Sequence, residues 1–270
     1  MKRTFLGKER PMTVGMIQKA TAEECVSLAL DSIGGGADAV GLQLESLPDT
    51  EKTDEKLRRI LDSLGGKPCY FTNYRYGRND GKTDETLARE LVRFTQLGGT
   101  LADIPGDFFD KSAVVGGKRE NCRYPECTTD ENAIAEQKKR IAEIHEAGGE
   151  VLMSSHVMRF LPAEEVLSIA LDFESRGADV VKIVTAANST EEEIENLRTT
   201  ALLKKELKVP FLFLSGGTHY RRHRLLGPMF GCGYYLCVAR HYPGSTASQP
   251  LLSEVLGVLS HTKYIDFCGM

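Results

Sequence analysis

A turn followed by a short apolar run recurs along this chain, and that recurrence limits the folds open to it. It appears at Gly34-Gly35-Gly36-Ala37-Asp38-Ala39-Val40, at Gly65-Gly66-Lys67-Pro68-Cys69-Tyr70-Phe71 and at Gly98-Gly99-Thr100-Leu101-Ala102-Asp103-Ile104. It returns at Gly148-Gly149-Glu150-Val151-Leu152-Met153, from Gly177 to Val184, and from Lys208 to Leu214. Most steps are about 30 residues, the length of one strand–helix–strand unit. Glycine ends one helix and the apolar run starts the next strand. The intervening segments, Thr21 to Ile33, Thr53 to Leu64, Thr83 to Leu97, Thr129 to Ala147 and Pro162 to Arg176, are amphipathic. Thr21-Ala22-Glu23-Glu24 reads as a capping box, and Ser189-Thr190-Glu191-Glu192-Glu193 places acid in a first helical turn. With Met12 to Ile17 at the start and Met229 to Val238 near the end, the pattern predicts eight strands. We expect an α/β fold, a single (β/α)8 TIM barrel over residues 1–270. An open doubly wound sheet is the alternative, but no GxGxxG or P-loop pattern follows a strand.

Composition narrows the function classes. The chain has 270 residues, 27% of them charged, and a net charge of −4, so there is no global basic footprint for nucleic acid. No apolar run reaches membrane-spanning length, and Met1-Lys2-Arg3 is not followed by a signal-peptide core. Seven scattered cysteines without an export signal point to reduced thiols in a cytoplasm. Cys122 and Cys127 lie close together but lack a second pair or a nearby histidine, so we expect ordinary thiols and no metal. Cys25, Cys69, Cys232 and Cys237 sit in apolar contexts and read as core. The step from Gly99 to Gly149 is longer than the rest; the excess, Pro105 to Thr128, reads as an inserted loop after the fourth strand. Arg221-Arg222-His223-Arg224 follows a strand end, either as a solvated face or as a carboxylate site.

In a barrel of this kind, strand C-termini converge on one site. Strand two ends at Gly41-Leu42-Gln43-Leu44-Glu45, strand three at Thr72-Asn73-Tyr74-Arg75, and strand five at Ser154-Ser155-His156. Strand seven leads from Ser215-Gly216-Gly217 to Arg224, and the last strand leads to His241 through Gln249. Strand six, Val180-Val181-Lys182-Ile183-Val184, carries a lysine inside an apolar run. Such a lysine snorkels, pairs with a carboxylate, or loses its charge by desolvation and becomes a nucleophilic amine. With His156 to move protons and arginines to hold a carboxylate, the set suits proton abstraction beside a ketone in a hydroxy acid, followed by loss of water or carbon–carbon cleavage. A lone desolvated lysine seldom stabilises a core, so its replacement is expected to leave the fold intact.

Ser-Ser-His156, the Val-Val-Lys182-Ile-Val strand, Ser215-Gly-Gly through Arg224, and Ser245-Thr-Ala-Ser-Gln249 together resemble type I 3-dehydroquinate dehydratase, over Met12 to Leu259. The resemblance implies a cytoplasmic, cofactor-free homodimer acting on a small hydroxy keto acid carboxylate. It implies that Lys182 forms a Schiff base and His156 serves as base and then acid. Arg224 and Arg75 would bind substrate, and Ser245 and Gln249 would belong to a lid. Two departures stand out. Where the family carries a Glu-Trp-Arg-like motif, this chain has Gly41, Leu42 and Gln43, with Glu45 in place of an aspartate. The family glutamate that pairs with the histidine is matched by Asn79, which is expected beside His156. The pocket at Gly41 and Gln43 should therefore be roomier and less charged. A Schiff-base lyase or aldolase for another keto acid, and a non-catalytic carboxylate-binding homologue, are the competing readings.

Overall fold

The computed structural model describes residues 4–7 and 10–261. Met1-Lys2-Arg3 and Cys268 lie outside the described residues. Eight parallel strands form the sheet: β1 Met12–Ile17, β2 Ala39–Gln43, β3 Cys69–Thr72, β4 Leu101–Pro105, β5 Glu150–His156, β6 Val180–Ala187, β7 Phe211–Gly217 and β8 Tyr234–Cys237. Their order is β8-β1-β2-β3-β4-β5-β6-β7. The seam between β7 and β8 is bridged by Gly233 N donating to Phe211 O at 2.9 Å, so the sheet is a nearly closed (β/α)8 barrel. The strands are almost wholly buried, as a parallel sheet covered by helices requires.

The helices are α1 Ala22–Gly34, α2 Asp54–Ser63, α3 Asp84–Gln96, α4 Glu131–Glu146, α5 Ala163–Arg176, α6 Thr190–Glu206, α7 Arg221–Leu226 and α8 Leu252–His261. Their starts follow the capping chemistry. The hydroxyls of Thr21, Thr53, Thr83 and Ser189 each accept a backbone N–H three residues on, and Asp130 does the same for α4. At the other end of α5, Gly177 takes φ +104°, a left-handed cap that glycine adopts without a Cβ penalty. Among the described residues no helix is long and apolar enough to cross a membrane.

One expectation needs correction. The last strand is shorter than Met229 to Val238: Gly227–Phe230 is a 3-10 helix, and Gly231 turns the chain at φ +119° before β8 begins. Cys122 and Cys127 are free thiols, as expected, but both are buried with the core cysteines.

The barrel interior is graded along its axis. Val14, Leu101, Leu152, Leu212 and Leu236 surround a small apolar void near the amino-terminal end of the strands. Phe5 plugs that end against Tyr234, ring centroids 5.9 Å apart. One layer higher the interior becomes polar, with Tyr70, Asp103 and Lys182.

The long segment after β4 is held down from beneath. It contains a short hairpin, Val114–Val115 against Lys118–Arg119. Arg176, in the last turn of α5, donates to Gly106 O at 3.0 Å and Thr128 O at 2.7 Å. Gln137 of α4 donates to Gly106 O and Phe108 O. Gly106 is where the two ends of the loop meet: a Cβ there would sit 2.3 Å from both Glu126 O and the Phe173 ring.

Candidate active site

Lys182 lies mid-strand in β6, opposite Ser154 of β5 and Leu212 of β7. Its side chain points into the barrel and is only 4% exposed. All three ammonium donors are used. Nζ reaches Asp103 Oδ2 at 3.1 Å, Tyr70 Oη at 3.1 Å and Tyr74 Oη at 2.6 Å. Both tyrosines pass their own proton on, donating to Asp103 Oδ2 at 2.5 Å. Burial, reinforced by the charge of Asp103, pushes both phenols well above their ordinary range, so they remain donors at neutral pH. Asp103 is fully buried, and among the described residues its Oδ1 has no partner. The carboxylate alternative for Lys182 is therefore realised, inside the barrel rather than at its rim.

His156 ends β5, one strand over and two residues nearer the mouth, paired with Val184. Its partner is not Asn79. Glu126 Oε2 accepts from His156 Nδ1 at 2.8 Å and from the backbone N of His156 at 3.0 Å. That bond places the ring proton on Nδ1 and leaves Nε2 as the basic nitrogen. Glu126 achieves this from a left-handed backbone, φ +56°. For a residue with a Cβ this costs about 1–2 kcal/mol, so the surrounding contacts must hold it. Ser155 Oγ donates to Pro125 O at 2.7 Å, Cys127 Sγ donates to Ser155 Oγ at 3.2 Å, and Arg176 grips Thr128. The loop from Pro105 to Thr128 thus supplies an acid to the histidine. Tyr74 joins the two centres: its hydroxyl touches Lys182, and its ring meets the His156 ring edge-on at 5.2 Å.

Asn79 lies elsewhere. Its Nδ2 donates to Asn73 Oδ1 and Tyr74 O, both at 2.8 Å, and its Oδ1 accepts from buried Lys52 at 2.9 Å. It braces the backbone that presents Tyr74. Arg75 is also displaced from the expected role. Two carboxylates neutralise it, Asp84 at 2.6 Å and Asp107 at 2.8 Å, and the residue before it reaches Lys182 instead.

The rim of β2 is filled rather than open. A Cβ at Gly41 would lie 2.1 Å from Met16 Sδ and 3.2 Å from the Tyr70 ring, so the thioether occupies the space the glycine leaves. Gln43 Oε1 accepts from Gln18 Nε2 at 2.5 Å. Gln18 Oε1 in turn accepts from Thr246 N at 2.8 Å, tying the loop after β8 to the rim. Ser245 turns inward on that loop: its hydroxyl accepts from Tyr242 N at 3.1 Å and donates to Tyr242 O at 2.8 Å. Glu45 is buried against the Thr72 hydroxyl, and burial pushes its carboxyl up to about 6.

Of the four basic residues after β7, one is left uncompensated. Arg221 pairs with Glu254, and Arg222 pairs with Glu193. Arg224 is buried and donates Nε to Ser215 O at 2.7 Å. No carboxylate pairs with it among the described residues, and burial pushes its guanidinium down to about 10. It lines a cavity of about 220 Å³ together with Gln249, whose buried Oε1 has no partner among the described residues. A desolvated cation lining a cavity is suited to an anionic ligand.

His223, between them, is structural. Its Nε2 lies 3.0 Å from the Thr200 hydroxyl, and burial followed by the charge of Arg224 pushes it down to about 4. Below pH 6.5 the unfolded chain takes up a proton that the folded site refuses. The stability is therefore present above that pH and is lost as pH falls towards 4, by about 3 kcal/mol in all. The difference in denaturation free energy between wild type and His223→Gln, followed through this window, should show that slope; a flat difference would remove the assignment.

Asp103, Tyr70, Tyr74 and Glu126 were not among the sequence-derived candidates. Asp103 carried a readable signal, an acid inside the apolar run Leu101-Ala102-Asp103-Ile104. Among the described residues no group of three or more metal-ligating side chains is clustered to hold a metal.

The type I 3-dehydroquinase family model matches residues 124–264. The match takes in Glu126, His156, Lys182, Arg224 and Gln249, and stops short of Gly41, Gln43 and Tyr74. A 3-dehydroquinate dehydratase from Lactiplantibacillus plantarum is 30% identical over 264 residues, covering 94% of this chain and 95% of that protein. One from Alkaliphilus oremlandii is 28% identical over 196 residues, covering 65% of this chain and 75% of that protein. The crystal structure of 3-dehydroquinate dehydratase from Geobacillus kaustophilus superimposes with TM-score 0.78 at 16% identity, over 96% of this chain and 94% of that one. A type I 3-dehydroquinate dehydratase from Clostridium difficile, with covalently modified comenic acid, gives 0.74 at 17% identity, over 94% and 93%.

Proposed function

This chain belongs to the type I 3-dehydroquinase family, and on that ground we propose that it is a cofactor-free carbon–oxygen lyase that dehydrates 3-dehydroquinate to 3-dehydroshikimate through an imine at Lys182. The observation that carries the reading is the linked pair of Lys182 and His156, with Tyr74 in contact with both and Glu126 orienting the imidazole. Lys182 attacks the ketone. His156 Nε2 takes the proton beside the resulting iminium and returns it to the leaving hydroxyl, while Glu126 stabilises the transient imidazolium. Arg224 binds the substrate carboxylate, with Gln249 beside it and Ser245 shaping the loop that covers it. Gln43 lines the rim. Arg75 and Asn79 act on the site only through the loop that carries Tyr74. We read the chain as one barrel domain whose inserted loop, at about 105–128, has been recruited to the site.

The test is intact-mass spectrometry after mixing the protein with 3-dehydroquinate and borohydride. A covalent adduct on Lys182, together with turnover, is the expected result; no adduct with a folded protein would defeat the proposal. Arg224→Met should raise KM by roughly 10- to 100-fold and leave kcat less affected, because a charge-assisted bond is worth about 1.5–3 kcal/mol. An unchanged KM would place the carboxylate elsewhere.

One observation favours a second reading. Met16 and the Tyr70 ring crowd the position of Gly41 and make the inner wall apolar. A hydroxy keto acid with fewer hydroxyls, handled by a Schiff-base lyase or aldolase, would suit that wall. Borohydride trapping against a panel of keto acids separates the two. A cytoplasmic homodimer completes the proposal. Among the described residues Cys25, Cys122, Cys127, Cys232 and Cys237 are free thiols, which suits a reducing compartment, and the dimer follows from the family resemblance and is tested by sedimentation.

A further inference from the structure

We propose that Tyr74 is the proton carrier of imine formation, relaying the proton that Lys182 must lose to Asp103 and returning it to the substrate oxygen as that oxygen leaves as water. The inference rests on Lys182 being the imine-forming amine. Tyr74 Oη sits 2.6 Å from Nζ and 2.5 Å from Asp103 Oδ2, so one hydroxyl accepts from the ammonium while donating to the carboxylate. Tyr70 makes the same pair of bonds, but its contact with Nζ is longer, 3.1 Å. It also lies within β3, hydrogen-bonded in register with Gly41 and Leu101, whereas Tyr74 lies beyond the strand end and touches His156. Tyr74 is therefore the phenol on the side of the proton-transfer histidine.

The steps balance. The ammonium gives one proton to Tyr74 as Tyr74 gives its own to Asp103, leaving a neutral amine, a neutral phenol and a neutral acid. The amine attacks the carbonyl carbon: the N–C bond forms and the C=O π pair moves to oxygen. One proton then passes from nitrogen to that oxygen through the same hydroxyl, giving the carbinolamine. Asp103 returns its proton through Tyr74 to the carbinolamine oxygen, the C–O bond breaks, water leaves, and the nitrogen lone pair closes the iminium. Asp103 ends as the carboxylate it began as, and no further reactant is consumed. Burial and the Asp103 charge hold the phenol well above its usual range, so it never rests as phenolate and the two protons move together. Among the described residues Asp103 Oδ1 has no donor, and all the donors gather on the oxygen the relay uses.

Wild type, Tyr74→Phe and Lys182→Met are compared by the rate of borohydride-trapped adduct with 3-dehydroquinate, from mildly acidic to mildly alkaline pH. Tyr74→Phe keeps the ring against His156 and Tyr76 and removes only the hydroxyl. Its maximal rate should fall about 100-fold, and imidazolium buffer should restore part of the loss. A preserved maximum with a shifted midpoint would mean that the hydroxyl only sets the charge of Lys182, and would overturn the relay. In wild type, the rate should depend quadratically on deuterium fraction, since two protons move at once; a linear dependence would also overturn it. No adduct in wild type at any pH would defeat the imine reading itself, and the relay with it.

Discussion

Lys182→Met is expected to form no borohydride-stable adduct and to fold with about 3–5 kcal/mol less stability than wild type. The first effect follows from losing the amine that we propose forms the imine. The second reverses the expectation drawn from the strand alone, that removing a lone buried lysine would spare the fold. Lys182 is not alone: Asp103 is fully buried, and among the described residues Nζ is the only cation in contact with it. Methionine would leave that carboxylate charged and uncompensated, or force it to take up a proton. Lys182→Met with Asp103→Leu should recover much of the loss, because removing both members of a buried ion pair is far less costly than removing one. Denaturant titration of the four proteins of this cycle checks it. A single variant as stable as wild type would show that the pair contributes nothing to folding.

Glu126→Gln should lower kcat by about 100- to 10,000-fold while leaving KM within a few-fold. Glutamine can still accept from His156 Nδ1 and its backbone N–H, so the ring keeps its orientation. What it lacks is the negative charge opposite the imidazolium that forms when His156 takes a proton. Steady-state kinetics on the variant decide it: a kcat within three-fold of wild type would place the acid–base work outside this pair. Glu126 sits at φ +56° in a loop held by Arg176 and Ser155. Such strain persists where surrounding contacts over-determine it, as functional sites commonly do.

The barrel was readable because its signals are local and repeated. Glycine turns, capping threonines and apolar runs each act within a few residues, and their period set the strand count. The eighth strand was overdrawn because its amino-terminal half is apolar yet breaks at Gly231, whose left-handed turn is a backbone property. Lys182 and His156 were readable for a similar reason, a charge inside an apolar run and a histidine at a strand end. Arg224 was named through the family resemblance; the residues alone offered a run of four basic side chains, of which α7 turns Arg221 and Arg222 to Glu254 and Glu193 and buries Arg224.

Arg75 and Tyr74 show the limit sharply. They are adjacent, and which one faces Lys182 depends on where β3 stops and how Asn79 braces the chain behind it. The family resemblance offered the arginine as a substrate ligand, and Asp84 and Asp107 pair with it instead.

The sequence alone thus determined the (β/α)8 architecture and the strands that carry the lysine and the histidine. Only the tertiary structure decided which charges are compensated and by what. Asp103 lies 79 residues from Lys182, and Glu126 lies 30 residues from His156 on a different connection of the barrel. Strand periodicity acts through neighbours in the chain, whereas hydrogen bonds and ion pairs act over a few ångströms between residues that only the closed sheet brings together.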